Sequence, residues 1–167
     1  MEQMDLLERG RFADFLHQSL NHNIALADRK ASIVFTLATA VIVFVLQRDP
    51  ALLRGAAGIA VQASWICVLL VLLASAATAF GVVFPRIHRR RNGLLFWSNV
   101  AGCESAAAYA AGVTGHSNDA LLAAKFEHCH ALARICRAKY RLLRISMTIA
   151  ALGLAGFVTV STVSALS

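Results

Sequence analysis

Charge is scarce in this chain. Only 15% of its 167 residues are charged while 58% are hydrophobic, against roughly 25% and 45–50% in soluble globular domains, which excludes an ordinary water-soluble fold. Proline is scarcer still, with Pro50 and Pro85 the only two. From Asp5 to Leu46 there is no proline and Gly10 is the only glycine, so one long helix is expected there. Paired carboxylates, a Gly-rich phosphate loop and a nucleophile elbow are all missing, so no catalytic residues are assigned and the chain is not expected to be an enzyme. Of four cysteines, Cys67 falls in an apolar run and Cys103, Cys129 and Cys136 in a segment expected to be cytoplasmic; small reduced side chains are expected rather than disulfides. The stretch "EHCHALARIC" places His128, Cys129, His130 and Cys136 close in sequence. Helical neighbours point about 100° apart, so no metal site is assigned.

What the chain does have is three apolar stretches, and a spanning helix needs about 20 mostly apolar residues. Residues 31–47, 63–84 and 145–164 qualify. The third is rich in Ala, Gly, Ser and Thr, a composition suited to close helix packing. The fold class is therefore an all-α membrane protein, with three transmembrane helices and a cytoplasmic helical module between the second and third. Residues 1–30 form an N-terminal cytoplasmic helix, 48–62 an outer loop, and 85–144 the basic module. The first thirty residues carry Glu2, Asp5, Glu8 and Asp14 and no apolar core, unlike a cleavable signal peptide.

Lysine and arginine fix the orientation, since basic residues flanking spans tend to stay in the cytoplasm. Of the sixteen, ten lie in 85–144, four in 1–30, two in 48–60 and none after Ser146. A multi-pass membrane protein is expected, its N-terminus on the cytoplasmic side and its C-terminus outside. No ionisable residue sits in the middle of a span, which argues against a transporter, and polar rings that would mark a channel are missing.

The module opens with "PRIHRRRNG". Then "LLFWSNVAGCESAAAYAAG" reads as a helix ended by Gly112 and Gly115, and "GHSND" supplies N-caps for the next. That next helix places Leu122, Phe126, Cys129, Ala133, Cys136 and Tyr140 at alternating spacings, a seam that continues into the third span. The arginines have two readings, as counter-charges to lipid phosphates at the membrane edge or as an anion site. The aromatic residues likewise have two, core packing or base stacking.

Three segments resemble a known family. "ADRKASIVFTLATAVI" resembles the approach to the first span in the Pycsar transmembrane effectors (PycTM) of bacterial anti-phage defence. "FPRIHRRRNGLLFWSNVAGCESAAAY" and "LARICRAKYRLLRISMTIA" are similar to the family's Pro-Arg, Asn-Leu-x-Phe, Tyr and Lys-Tyr pattern. The segment between Tyr109 and Asn118 departs from it in being rich in alanine and glycine. The resemblance implies an effector without catalysis, activated by a cyclic pyrimidine nucleotide, cUMP or cCMP, from a partner pyrimidine cyclase. It further implies a homo-oligomer that contacts membrane lipids and no nucleic acid polymer, and that impairs the inner membrane in abortive infection. Carried over residue by residue, it implies ligand contacts at Arg86, Asn92, Phe96, Tyr109, Lys139 and Tyr140, with Asp28 and Lys30 coupling ligand to membrane. Asp28 next to two bases asks for a partner, and Arg86, Lys139 and Arg141 are the candidates. The alternative is a membrane anchor whose cytoplasmic helices bind a protein partner.

Overall fold

A computed structural model describes residues 5–48, 58–84 and 95–166. Five helices follow one another: α1 (Leu6–Arg48), α2 (Ile59–Val83), α3 (Trp97–Ala101), α4 (Ala106–Thr114) and α5 (Asn118–Leu166). Among the described residues there is no strand. Helices α1, α2 and α5 are long and apolar enough to cross a membrane. Nothing in α1 interrupts its change from polar to apolar sequence, because neither proline nor a second glycine intervenes.

The chain divides into two compact units, Met1–Ala25 with Pro85–Arg137 and Leu26–Phe84 with Ala138–Ser167. The second unit is a bundle of three apolar helical stretches. Ala27 and Ala31 of α1 cluster with Val82 of α2 and Leu143 of α5. Further along, Phe35 meets Phe80, and Trp65 and Phe44 both meet Phe157. The contacts advance along α1 and α5 while they retreat along α2, so α2 runs antiparallel to the other two. Buried positions on α2, Val68, Leu72, Ser75, Ala79 and Val82, alternate by four and three, the spacing of helices packed at a shallow angle. On α5 the matching set is Leu143, Ser146, Ala150 and Gly153.

Small side chains fill much of this interior. Ala27, Ala31, Ala79, Ser75 and Ser146 are fully buried, whereas Leu70, Leu73, Leu152 and Val158 are 57–65% exposed. That is the reverse of a soluble core and suits helices surrounded by lipid, where close backbone approach drives association and large apolar residues face outward. Gly153 makes the approach possible: a Cβ there would lie 2.7 Å from Cδ2 of Leu72.

The first unit, by contrast, has a thin core. Among its described residues only Ala13 and Cys129 are buried, and they meet where the Cys129 thiol donates to the Ala13 carbonyl at 3.7 Å. Leu122, Phe126, Ala133 and Cys136 are half-buried, so the expected seam is there with only its central residue sealed. The single helix expected over 94–112 is instead two, α3 and α4. Gly102 and Ser105 interrupt it, because the Ser105 hydroxyl accepts from the Ala108 N–H at 3.1 Å and starts a new helix. Gly112 lies inside α4 and Gly115 caps it. Ser117 begins α5 in the same way, accepting from the Ala120 N–H.

Candidate functional site

Lysine at position 139 is nearly two helical turns before the third apolar run, where its long chain must find a place for an ammonium beside lipid. In the second unit it finds two acceptors. Its Nζ donates to Asp28 Oδ1 on α1 and, at 2.7 Å, to the Val82 carbonyl on α2. Val82 is the penultimate residue of α2, whose last turn has no basic residue of its own. The final carbonyls of a helix lack intrahelical partners and carry the negative end of its dipole, so an ammonium from another helix both bonds and neutralises that end. The Lys139 side chain is 16% exposed and Asp28 34%. One cation thus fastens three helices at one level, with Tyr140 packed against the Ala27, Ala31, Val82 and Leu143 cluster beside it.

The first unit holds a second polar cluster, also between α1 and α5. Lys125 Nζ meets Asp14 Oδ1 at 2.5 Å. One turn further, the rings of His17 and His128 lie 5.3 Å apart, and Phe96 sets its ring edge-on to His128 at 4.8 Å. Asn21 Nδ2 is 3.1 Å from His17 Nε2. Among the described residues, the buried Nδ1 of His128 has no hydrogen-bond partner. Burial, and then the neighbouring His17, hold His128 below the ordinary histidine range, so its imidazole is neutral near pH 7. Burial pushes the Cys129 and Cys136 thiols up, which makes both poor nucleophiles. No group of three or more metal-ligating side chains occurs among the described residues.

The residues singled out from sequence divide between the two units. Asp28, Lys139 and Tyr140 come together in the second, and Lys139 is the partner of Asp28 out of the three candidates. Lys30 is exposed and stands outside that cluster. Phe96 and Tyr109 are in the first unit, Phe96 against His128 and Tyr109 half-buried on α4. Arg86 and Asn92 lie outside the described residues. Asp14, His17 and Lys125 were not singled out. Their signal was faint: an acid and a histidine three apart on α1 face a base and a histidine three apart on α5, a complementarity visible only once the two helices are paired.

No curated protein and no solved structure matches the chain. A family model does, and it covers residues 12–166, nearly the whole chain and every residue of both polar clusters. The chain therefore belongs to the PycTM family, whose defining feature is the Pycsar effector protein domain.

Proposed function

We propose that this protein is the membrane effector of a cyclic-pyrimidine-nucleotide anti-phage system. It senses cUMP or cCMP released by a partner cyclase and, as a homo-oligomer in the inner membrane, impairs that membrane so that the infected cell dies before phage mature. Family membership supports the setting. The single observation that carries the mechanism is the Lys139 clamp, which joins all three apolar helices through one ammonium.

A cyclic nucleotide brings one phosphodiester anion and a flat base. The anion competes with Asp28 for Lys139, with Tyr140 beside it; the family resemblance adds Arg86, Asn92, Phe96 and Tyr109 as candidate contacts, the two aromatic rings being suited to stacking on a base. If ligand takes Lys139 from Asp28, the restraint on α1 and on the end of α2 is released together. The messenger needs only differential affinity for the released state: shifting a population from 1:99 to 99:1 takes about 5.5 kcal/mol, within reach of several charge-assisted hydrogen bonds.

The test is the purified chain reconstituted into vesicles holding a self-quenched dye. Addition of cUMP or cCMP is expected to release dye, whereas the linear 5′-monophosphates are not. Binding of neither cyclic nucleotide, measured by calorimetry on the same vesicles, would overturn the proposal.

A further inference from the structure

In the second unit, the clamp leaves a charge imbalance. Asp28 is the only carboxylate on its described stretches, and its charge is taken by Lys139. Arg29, Lys30, Arg141 and Arg144 are all exposed, and among the described residues none has a carboxylate within ion-pair distance. All four lie within about a turn of the layer where Ala31, Val82 and Leu143 pack, roughly 5 Å along the axis. Past that layer, α5 carries no further charge to its end and α1 none until its last residue, Arg48. The four cations thus form a collar at the edge of the apolar bundle, level with a lipid headgroup layer about 5–8 Å deep.

We propose that this collar is a binding site for anionic phospholipid headgroups. Charge complementarity selects the occupant. Four exposed cations with no carboxylate of their own need anions from outside the chain, and phosphates anchored by acyl chains are concentrated at this depth. Arginine suits them, because its guanidinium grips a phosphate through two parallel N–H donors. Leu152 and Met147, exposed on α5 beyond Arg144, give the acyl chains an apolar surface. A phosphatidylglycerol molecule can therefore set its phosphate on Arg141 or Arg144 while its tails lie along α5. Headgroup binding by the collar does not require that the chain sense a nucleotide.

The experiment measures which lipids the full-length protein retains when it is drawn from mixed phosphatidylglycerol and phosphatidylcholine vesicles, by native mass spectrometry. Each cation near an anionic surface is worth about a five-fold preference. Wild type should therefore retain phosphatidylglycerol up to several hundredfold above phosphatidylcholine, and R141Q/R144Q or R29Q/K30Q should each lose about 25-fold. R141K/R144K, which keeps the charge, should lose much less. Should the glutamine variants not fold, wild type in high salt carries the test. Raising salt from about 0.1 to 1 M shortens the screening length from about 10 to 3 Å and should abolish the preference. Equal retention of the two lipids, a preference that survives high salt, or displacement of phosphatidylglycerol by millimolar inorganic phosphate would each overturn the assignment, the last by making the collar a site for soluble anions.

Discussion

Ser75 and Ser146 exchange hydrogen bonds across the bundle. The Ser75 hydroxyl donates to the Ser146 carbonyl and the Ser146 hydroxyl to the Ser75 carbonyl, each at 3.0 Å, with both side chains fully buried. Each hydroxyl bonds a carbonyl of the facing helix, and the Ser75 carbonyl also accepts from Thr78 Oγ1 at 2.9 Å, so neither buried hydroxyl is left unsatisfied. Truncating either serine to alanine removes one bond and orphans no group. Within a membrane such interhelical bonds average about 0.6 kcal/mol with a maximum near 1.7, so Ser75→Ala and Ser146→Ala should each lower stability by about 1 kcal/mol. Ser75→Leu should cost more, through overpacking. Reversible unfolding in mixed micelles reads these differences, and a cost above about 3 kcal/mol for the alanine variants would mean the pair does more than hold α2 to α5.

Two glycines in the spans should respond to alanine with opposite signs. At Gly153 a Cβ would meet Leu72 Cδ2 at 2.7 Å, its Cγ at 3.0 Å and Val71 Cγ1 at 3.3 Å. Leu72 is itself fully buried, so it has little room to yield. Gly153→Ala should destabilise by about 1–3 kcal/mol. At Gly81 a Cβ meets nothing within 4 Å, and Gly81→Ala should stabilise by about 0.5–1 kcal/mol by restricting the unfolded chain and favouring helix. The same unfolding assay decides both, and equal effects would refute the close approach of α5 to α2.

The glycine contrast shows how far the sequence could be read. The absence of proline made the length of α1 legible, the seam running on into the third apolar run did so for α5, and the small residues of that run announced close packing. Asp28 beside two bases asked for a partner, and three candidates were nameable. Choosing Lys139 required the height of α2, since the ammonium is held as much by the Val82 carbonyl as by Asp28, and a backbone acceptor leaves no trace in a sequence. The serine exchange was hidden for a similar reason. Ser32, Thr39, Ser64, Thr78, Thr148, Thr159 and Thr162 all bond back to carbonyls three or four residues earlier, the default for a hydroxyl in an apolar helix. Only register distinguishes Ser75 and Ser146 from these. The break between α3 and α4 rests on Gly102 and the Ser105 cap, in a segment otherwise rich in alanine.

His128 makes stability depend on pH, and the direction follows from its depressed pKa. The unfolded chain takes up a proton near the ordinary value of 6.5, the folded chain only at lower pH. Protons therefore favour the unfolded state, so stability contributed by the neutral imidazole is intact above pH 6.5 and is lost as pH falls from there through the folded pKa. Asp14 and Lys125 one turn away neutralise each other, which leaves His17 as the nearest unbalanced neighbour. Thermal unfolding of wild type between pH 7.5 and 5.5 should shift downward, and His128→Asn should flatten that slope. An unchanged slope would place the titration elsewhere.

The Lys139 clamp makes the strongest claim on a double-mutant cycle. Lys139→Met removes the ammonium and leaves both the Asp28 carboxylate and the Val82 carbonyl without their donor. Hydrogen bonds to charged groups contribute about 1.5–3 kcal/mol, and loss of one partner adds the cost of the group left behind. A loss of about 2–4 kcal/mol is expected, moderated because Asp28 is 34% exposed and water can reach it. Asp28→Asn should cost less, about 1–2 kcal/mol, since an amide oxygen still accepts from Lys139 but without charge. Combined with Lys139→Met, Asp28→Asn should cost almost nothing further, because the carboxylate it removes has already lost its partner. The coupling energy, the shortfall of the double variant from the sum of the singles, should thus be about 1–2 kcal/mol. The same four proteins test function. If the clamp holds the resting state, Lys139→Met and Asp28→Asn should both make vesicles leak without nucleotide, and Asp28→Asn, which keeps the ammonium, should still answer to added ligand. Additive costs together with normal resting tightness would reduce Asp28 and Lys139 to a structural ion pair with no part in signalling.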